Sequence, residues 1–162
     1  MQTKQAVYDA LKALNINFKV YEHPPVYTVE DCDKLDFEFE GVGCKNLFLK
    51  DNNGKKHYLV VVEDHKRLDL NNLSKEHDLG RIGFASANRL MKYLGLMPGS
   101  VSPFGLINDT NGEIIVIVDK ALLSESLLTF HPNVNTATVE LKTDDFVKFL
   151  ESRENQVYYW DL

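Results

Sequence analysis

The sequence predicts a mixed α/β fold, in which helices cover a mixed β-sheet of about six or seven strands. The segments 57–62 and 112–119 each contain a continuous apolar run, as expected for strands that are covered on both faces. Four or five segments with helical patterns are interleaved with the strands, and the turn sequence Asp51-Asn52-Asn53-Gly54 predicts an antiparallel hairpin. A mixed sheet therefore fits the pattern better than a purely parallel one.

The N-terminal part predicts two helices around a short strand. Residues 5–14 carry apolar side chains at helical spacing, and residues 18–21 alternate as a strand. Pro24 and Pro25 exclude a helix and predict an extended turn. A threonine followed three residues later by an acid resembles a capping box and predicts a short helix over 29–35. The acidic segment 36–40 is expected to be a solvated strand or loop edge.

The middle of the chain predicts a hairpin followed by a helix and a strand. Residues 41–50 form the first strand of the hairpin, and the turn at 51–54 leads into the apolar strand 57–62. Residues 68–79 have a helical pattern that ends at a glycine, and residues 81–85 predict a further strand.

The C-terminal part predicts three strands and a last helix. The apolar run 112–119 is the clearest strand of the chain, and 127–131 and 136–141 follow as a pair separated by Pro-Asn. Residues 144–152 predict a helix that begins with two acids and is capped by Thr143.

Composition indicates an ordinary globular protein of one domain, residues 1–162, with 44% hydrophobic and 26% charged residues. The N-terminus predicts an amphipathic helix and no signal segment, and no apolar run approaches membrane-spanning length. Two cysteines without a Cys-x-x-Cys pair agree with a reducing compartment. We expect a cytoplasmic protein with no membrane partner and no DNA partner.

Charge is unevenly distributed although the net charge is −6. Residues 41–100 contain ten Lys/Arg against six Asp/Glu, which gives +4, and the rest contains eight against eighteen, which gives −10. A basic middle third admits an RNA end or a phosphate as a partner of one face. The alternative is a solvated lysine face.

The densest turn chemistry lies in the loop Gly95–Gly105, which contains three glycines and two prolines. Residues 86–94 predict a helix that is capped by its first serine and stopped by the loop's first glycine. Gly99 can take φ values closed to other residues, and Pro103 stiffens the exit. Three amides between them can form a donor nest for a carbonyl or an oxyanion, those of Ser100, Val101 and Ser102. The alternative is a tight connection between a helix and a strand.

Two polar residues stand where the strand 41–50 begins. Lys45 can hold a phosphate, a ribose hydroxyl or a carbonyl oxygen as a point charge, and Asn46 offers both a donor and an acceptor. A lysine that extends from a sheet edge is an equal alternative. Since side chains alternate along a strand, both residues are expected to reach one ligand only if the strand begins after them.

The remaining chemical candidates are weak when taken singly. His131 ends a strand before a proline, where a structural role is more common than a functional one. Cys44 could act as a nucleophile with a histidine, but no second element of a cysteine-hydrolase signature is present. No spacing typical of a metal site occurs, so we expect no metal and no cofactor.

Three segments, 45–50, 94–106 and 130–139, resemble in this order the prolyl-tRNA editing family, which includes YbaK and the editing insertion of bacterial prolyl-tRNA synthetases. His-Pro-x-x-Asn-Thr-Ala-Thr at 131–138 is similar to the free-standing ProX-type branch, which hydrolyses alanine mischarged on proline tRNA. The cysteine-specific YbaK branch lacks that segment. The resemblance implies a mixed α/β domain on a curved, partly barrel-like sheet.

The resemblance also implies roles for eight residues. The amides of Gly99, Ser100, Val101 and Ser102, in a loop that ends at Pro103, would bind the alanyl carbonyl and its oxyanion. Lys45 would hold the terminal adenosine or its phosphate, and Asn46 would meet the amino group or the ribose. His131 would form the floor of a pocket too small for proline. Hydrolysis of an activated ester then needs mainly a positioned water and stabilisation of the tetrahedral oxyanion.

The implied partners are the acceptor end of a mischarged tRNA and prolyl-tRNA synthetase. Editing is needed because discrimination between small apolar side chains is worth only about 1–3 kcal/mol. Two alternatives stay open: a deacylase for mischarged cysteine or serine, and a non-catalytic module that binds a tRNA end or the synthetase.

Overall fold

Helices and strands form where the apolar periodicity indicates them. The computed structural model describes residues 4–35 and 38–162, and the predicted segment 36–40 therefore lies partly outside the described residues. Within these ranges five α-helices occur: α1 (Lys4–Ala13), α2 (Val29–Asp33), α3 (Leu70–His77), α4 (Ala87–Leu94) and α5 (Thr143–Glu151). The same ranges contain eight strands: β1 (Phe18–Glu22), β2 (Val42–Asp51), β3 (His57–Glu63), β4 (Ile82–Phe84), β5 (Ile114–Asp119), β6 (Leu127–Phe130), β7 (Ala137–Lys142) and β8 (Val157–Trp160).

The strands form one mixed, partly curled sheet in the order β1-β7-β6-β2-β3-β5-β8, with β4 paired to β2 outside this path. The pairs β1/β7, β6/β7, β2/β3 and β2/β4 are antiparallel. The pairs β2/β6, β3/β5 and β5/β8 are parallel. The predicted fold class is confirmed, with one strand more than the sequence indicated.

β2 is the longest strand and joins the two halves of the sheet. One of its edges pairs with β3 from Cys44 to Lys50. The other edge pairs with β6 only at Val42 and Gly43, and with β4 only from Leu49 to Asp51. Between these two short pairings, no strand in the described part of the chain covers that edge of β2.

The core lies on both faces of β3, as its continuous apolar run predicts. Leu59 and Val61 belong to a large cluster under α1, α4 and α5, and Val60 and Val62 belong to a smaller one under α3. Both clusters exclude water from their strands, so β3 is fixed from two sides. Among the described helices, none is both long and apolar enough to cross a membrane.

The helix α4 delivers the chain into the glycine-rich loop as predicted. The Ser86 hydroxyl accepts from the Arg89 amide at the start of α4, and Gly95 ends it in the left-handed region at φ 65°. The loop then turns into a 3-10 helix at Pro103–Asn108. Phe104 of this helix is fully buried, and its ring packs edge-on against Phe130 and Phe149. The loop is therefore anchored in the core just after its turn.

One detail of the predicted fold, the cap of α5, is wrong, and one strand, β8, was missed. Thr143 is the first residue of α5 and does not cap it, since no side-chain cap bond forms at Lys142 and the buried Thr143 hydroxyl makes no hydrogen bond with any described residue. β8, at Val157–Trp160, was not predicted from the sequence. It is defined by its parallel pairing with β5, a contact that local periodicity does not encode.

Replacing Phe104 with alanine tests the anchoring of the loop. Phe104→Ala removes a fully buried ring and is expected to lower the free energy of unfolding by about 3–5 kcal/mol in urea titrations. The matched control is Phe84→Ala, because Phe84 is 64% exposed and its loss should cost less than about 0.5 kcal/mol. Equal effects of the two substitutions would contradict the anchor.

Candidate active site

A cavity of about 540 Å³ opens beside the first half of β2. Its other walls are the segment 26–33, which ends in α2, the end of β6 at 129–131 and the loop after α4. Five of the eight site residues that the sequence predicts line this cavity: Lys45, Asn46, Gly99, Val101 and His131. Three segments that are far apart in the sequence therefore meet at one place.

The uncovered edge of β2 explains where the cavity forms. β6 leaves β2 after Gly43, and β4 joins it only at Leu49. The loop after α4 occupies the space between them, since the Asn46 amide nitrogen donates to the Val101 carbonyl at 3.4 Å. Because the loop is not a paired strand, it leaves room for a ligand against β2.

Lys45 and Asn46 both line the cavity although both lie inside β2. The strand begins before both residues, and their contact with one ligand stays a prediction. Their side chains leave opposite faces of the strand, and Asn46 is on the side of the buried Phe48. The cavity reaches both faces because it opens at an uncovered edge.

Asn46 presents a buried acceptor to the site. Its Oδ1 atom is buried and has no hydrogen-bond partner in the described ranges. A buried carbonyl oxygen that lacks a partner costs about 1–3 kcal/mol, so most such groups in proteins are satisfied. An incoming N–H or O–H group would satisfy this one.

Lys45 supplies a positive charge that is not used for the fold. Its ammonium group forms neither a hydrogen bond nor an ion pair with any of the residues described. The group is close enough to Asp64 to lower the pKa of that carboxyl. Gly43 allows this approach, because a Cβ atom at position 43 would overlap the Asp64 carboxylate.

Two loop residues that line the cavity have amides without a described partner. Gly99 has φ 88°, in the left-handed region, and lines the cavity together with Val101. Neither of their N–H groups donates to a partner within 4–35 or 38–162. Both can therefore donate to a ligand oxygen.

The other three predicted loop residues serve the turn and do not line the cavity. The Ser100 amide donates to the Met97 carbonyl at 3.0 Å, so it is not available for an oxyanion. Ser102 is fully buried, and its hydroxyl accepts from the Phe104 amide at 3.1 Å. Pro103 is buried in the first turn of the 3-10 helix. The donor nest expected over 99–102 narrows to Gly99 and Val101.

His131 faces the cavity as a neutral imidazole. Its Nδ1–H donates to the Ala137 carbonyl at 3.0 Å, which fixes the ring and leaves Nε2 without a proton. Burial lowers the pKa of His131 below the usual value, and the nearby His23 lowers it further. The ring therefore forms a rigid, uncharged part of the wall.

His23 and Thr138 support this wall and were missed by sequence reasoning. The Thr138 hydroxyl lies 2.8 Å from His23 Nε2, and His23 Nδ1 lies 2.9 Å from the Pro24 carbonyl. The rings of His23 and His131 are 6.2 Å apart. The double proline after His23 was the available signal, because it fixes the chain where His23 packs beside Thr138 and His131.

The opposite wall of the cavity is acidic. Burial and the neighbouring Glu63 raise the pKa of Asp64 to about 6. His65 lies between Glu63 and Asp33, at 3.0 Å and 3.1 Å, and these hydrogen bonds raise the pKa of His65 to about 9. The protonated His65 thus connects the end of β3 to α2 in the wall of the cavity.

Both cysteines line the cavity but are poor nucleophiles. Burial and nearby carboxylates raise the pKa of Cys32 to about 11, and the same causes raise that of Cys44 further. The reactive form of cysteine is the thiolate, so neither side chain is activated. This environment agrees with the sequence, which shows no second element of a cysteine-hydrolase signature beside Cys44. Among the residues that the structure describes, no cluster of three or more His, Cys, Asp or Glu could hold a metal ion.

Comparison with known proteins identifies the family. The model of the aminoacyl-tRNA editing domain matches residues 23–149, which include the whole cavity wall described above. The chain belongs to the aminoacyl-tRNA editing domain family. The resemblance stated from the three ordered segments is confirmed.

Relatives of this editing domain match nearly the whole chain. The prolyl-tRNA editing protein ProX of Acetoanaerobium sticklandii is 44% identical over 155 residues, 96% of this chain and 94% of that protein. The prolyl-tRNA synthetase associated domain-containing protein 1 of Bos taurus is 33% identical over 155 residues, which cover 93% of this chain and 90% of that protein. A crystal structure described as a candidate trans-editing enzyme for prolyl-tRNA synthetase aligns with TM-score 0.72 and 20% identity, over 100% of this chain and 99% of that one, and supports the fold.

Asp64 makes stability depend on pH. Folding raises its pKa from 3.8 to about 6, so the folded state holds the proton more tightly than the unfolded chain. This favourable contribution is complete below about pH 4 and is lost as pH rises through about 6. Asp64→Asn is therefore expected to raise the free energy of unfolding by about 1–3 kcal/mol at pH 8 and to change it little at pH 4.

Urea titrations at the two pH values measure this effect. Asp161→Asn is the control, since Asp161 is exposed and should behave like the parent protein at both values. A stabilisation by Asp64→Asn that is equal at pH 4 and pH 8 would contradict an ionisation origin.

Proposed function

We propose that this editing domain hydrolyses the ester of alanine mischarged on proline tRNA and acts in trans, as a separate protein. The observation that carries the proposal is a set of polar groups that surround one cavity and have no protein partner in the described ranges. They are the amides of Gly99 and Val101, the Asn46 Oδ1 atom and the Lys45 ammonium. The 44% identity to a prolyl-tRNA editing protein supports the choice of substrate.

Hydrolysis proceeds by attack of water on the alanyl carbonyl carbon. The carbonyl oxygen becomes an oxyanion, which accepts hydrogen bonds from the amides of Gly99 and Val101. The ribose hydroxyl next to the ester takes the proton of the water. As that hydroxyl takes the proton, it passes its own proton to the neighbouring ester oxygen of the ribose. The bond from the carbonyl carbon to this oxygen then breaks, and free alanine and tRNA leave. One amide donor of this kind is worth about 3–4 kcal/mol of transition-state stabilisation.

The side chains position the ester and do not form a bond with it. Lys45 holds the terminal adenosine or its phosphate as a point charge. Asn46 accepts from the alanyl ammonium or a ribose hydroxyl through its unpartnered Oδ1. Ser100, Ser102 and Pro103 shape the turn that aims the two amides, through the hydrogen bonds and burial described above.

Selection for alanine depends on the size of the pocket that His131 helps to line. Because Nδ1–H is held by the Ala137 carbonyl, the ring cannot swing aside to admit a larger residue. A rigid wall admits alanine and excludes proline, which acts as the second sieve after a synthetase site that cannot exclude the smaller residue.

The whole chain, residues 1–162, acts as one editing domain, since strands from Phe18 to Trp160 contribute to one sheet. Its partners are the acceptor end of the mischarged tRNA and, for delivery, prolyl-tRNA synthetase. The proposed site of action is the cytoplasm, where aminoacyl-tRNA is made and used.

Loss of Lys45 tests the mechanism. Lys45→Ala is expected to lower the rate of alanine release from alanyl-tRNA by about a hundredfold or more, while the thermal midpoint stays near that of the parent. Stability should change little, because Lys45 makes no hydrogen bond with the described residues and its electrostatic effect on Asp64 is minor beside that of burial. Lys50→Ala is the control on the same strand, since Lys50 does not line the cavity. A folded Lys45→Ala protein with full activity would remove Lys45 from the mechanism.

A panel of aminoacyl-tRNAs tests the substrate. We expect rapid release of alanine from alanyl-tRNA for proline and release from correctly charged prolyl-tRNA slower by at least about a hundredfold. Cysteinyl and serinyl forms of the same tRNA are included. Faster release of cysteine or serine than of alanine would assign a different substrate, and binding without any turnover would indicate a non-catalytic module.

A further inference from the structure

Tyr27 stands at the rim of the cavity with its ring turned to solvent. It is 68% exposed and lines the cavity, and it was not among the residues that the sequence singled out. In the chain from 4 to 35 and from 38 to 162, its ring has no aromatic partner and its hydroxyl makes no hydrogen bond. An exposed, unused aromatic ring next to a site is a common feature of ligand recognition.

Hydrogen bonds on both sides of Tyr27 fix the main chain that carries its ring. The Tyr27 amide donates to Asp31 Oδ2 at 3.0 Å. On one side Val26 is buried and its amide donates to the Asn135 carbonyl at 3.1 Å. On the other side the Thr28 hydroxyl caps α2. These contacts fix the main chain from which the ring extends and reduce the backbone ordering needed when a ligand binds.

The ring also touches the loop that carries the free amides. A Cβ atom placed on Gly99 would lie 3.4 Å from Tyr27 Cδ1. The flat face of an aromatic side chain and the proposed oxyanion donors are therefore direct neighbours. In an aminoacyl-tRNA, only the ribose separates the ester from the terminal base.

We propose that the Tyr27 ring stacks on the adenine at the 3′ end of the tRNA. The inference rests on the proposed function and adds to it a residue that reads the nucleoside. The cavity of about 540 Å³ supports it, because sites of about 300–1,000 Å³ hold ligands far larger than an alanyl group. Tyrosine is a common stacking platform for unpaired bases.

Position, and not exposure alone, distinguishes Tyr27. Phe84 is comparably exposed at 64% but lies on β4 and does not line the cavity. Stacking needs the aromatic face and not the hydroxyl, so phenylalanine should replace Tyr27 and alanine should not. Phe84→Ala controls for the loss of an exposed ring elsewhere.

Steady-state deacylation of alanyl-tRNA by the full-length protein gives the first test. Tyr27→Ala is expected to raise KM about tenfold with kcat within about twofold, whereas Tyr27→Phe and Phe84→Ala keep the parent KM. Hydrolysis of alanine ethyl ester, which has no base, should be unchanged by Tyr27→Ala. An unchanged KM for Tyr27→Ala, or a loss confined to kcat, would overturn the stacking role.

Binding of the trinucleotide CCA, followed by NMR titration, separates this inference from the proposed function. The parent and Tyr27→Phe should prefer CCA about tenfold over a trinucleotide whose third residue lacks a base, and Tyr27→Ala should lose that preference. If no aminoacyl-tRNA is hydrolysed but this preference depends on Tyr27, the proposed function fails and the stacking stands. If alanyl-tRNA is hydrolysed but Tyr27→Ala keeps the preference, the stacking fails and the function stands.

Discussion

The site depends on one constraint in the sheet, the sharing of β2 between two halves. β2 pairs with β6 at one end and with β4 at the other, and β6 and β4 do not meet along its edge. The part between the two pairings is covered by a loop, because the pairing with β6 stops at Gly43 and the pairing with β4 begins only at Leu49. A loop covers a strand edge less completely than a strand does, and the cavity is the space that remains.

This arrangement leaves polar groups available for a ligand without loosening the fold. The loop is tied down at both ends, by the helix stop at Gly95 and by the buried ring of Phe104. Between these points the Ser100 amide closes a turn on Met97, so that the amides of Gly99 and Val101 are held in position with no partner among the described residues. Such preorganised donors act on a developing oxyanion without further reorganisation, which is the usual source of their effect.

The two walls of the cavity differ in charge. On one side His131 is kept neutral by burial and by His23, so it contributes shape and no charge. On the other side Lys45 is close to the carboxyl of Asp64, and burial raises the pKa of this carboxyl to about 6. Burial, together with the nearby carboxylates, raises the pKa of the Cys32 and Cys44 thiols and holds them in their unreactive form. Hydrolysis by a positioned water suits this site, because it requires no activated side-chain nucleophile.

The sequence by itself determined the elements whose signals are local. The continuous run of β3, the hairpin before it and the cap and stop of α4 follow from neighbouring residues, and the three ordered segments located Lys45, Asn46, Gly99, Val101 and His131. Only the tertiary structure decided which loop amide is already used, that Thr143 does not cap α5, and that β8 joins β5. It alone brought Tyr27 beside Gly99 and His23 beside Thr138. Each of these depends on packing or on partners distant in the sequence, and periodicity and turn chemistry carry information only about near neighbours.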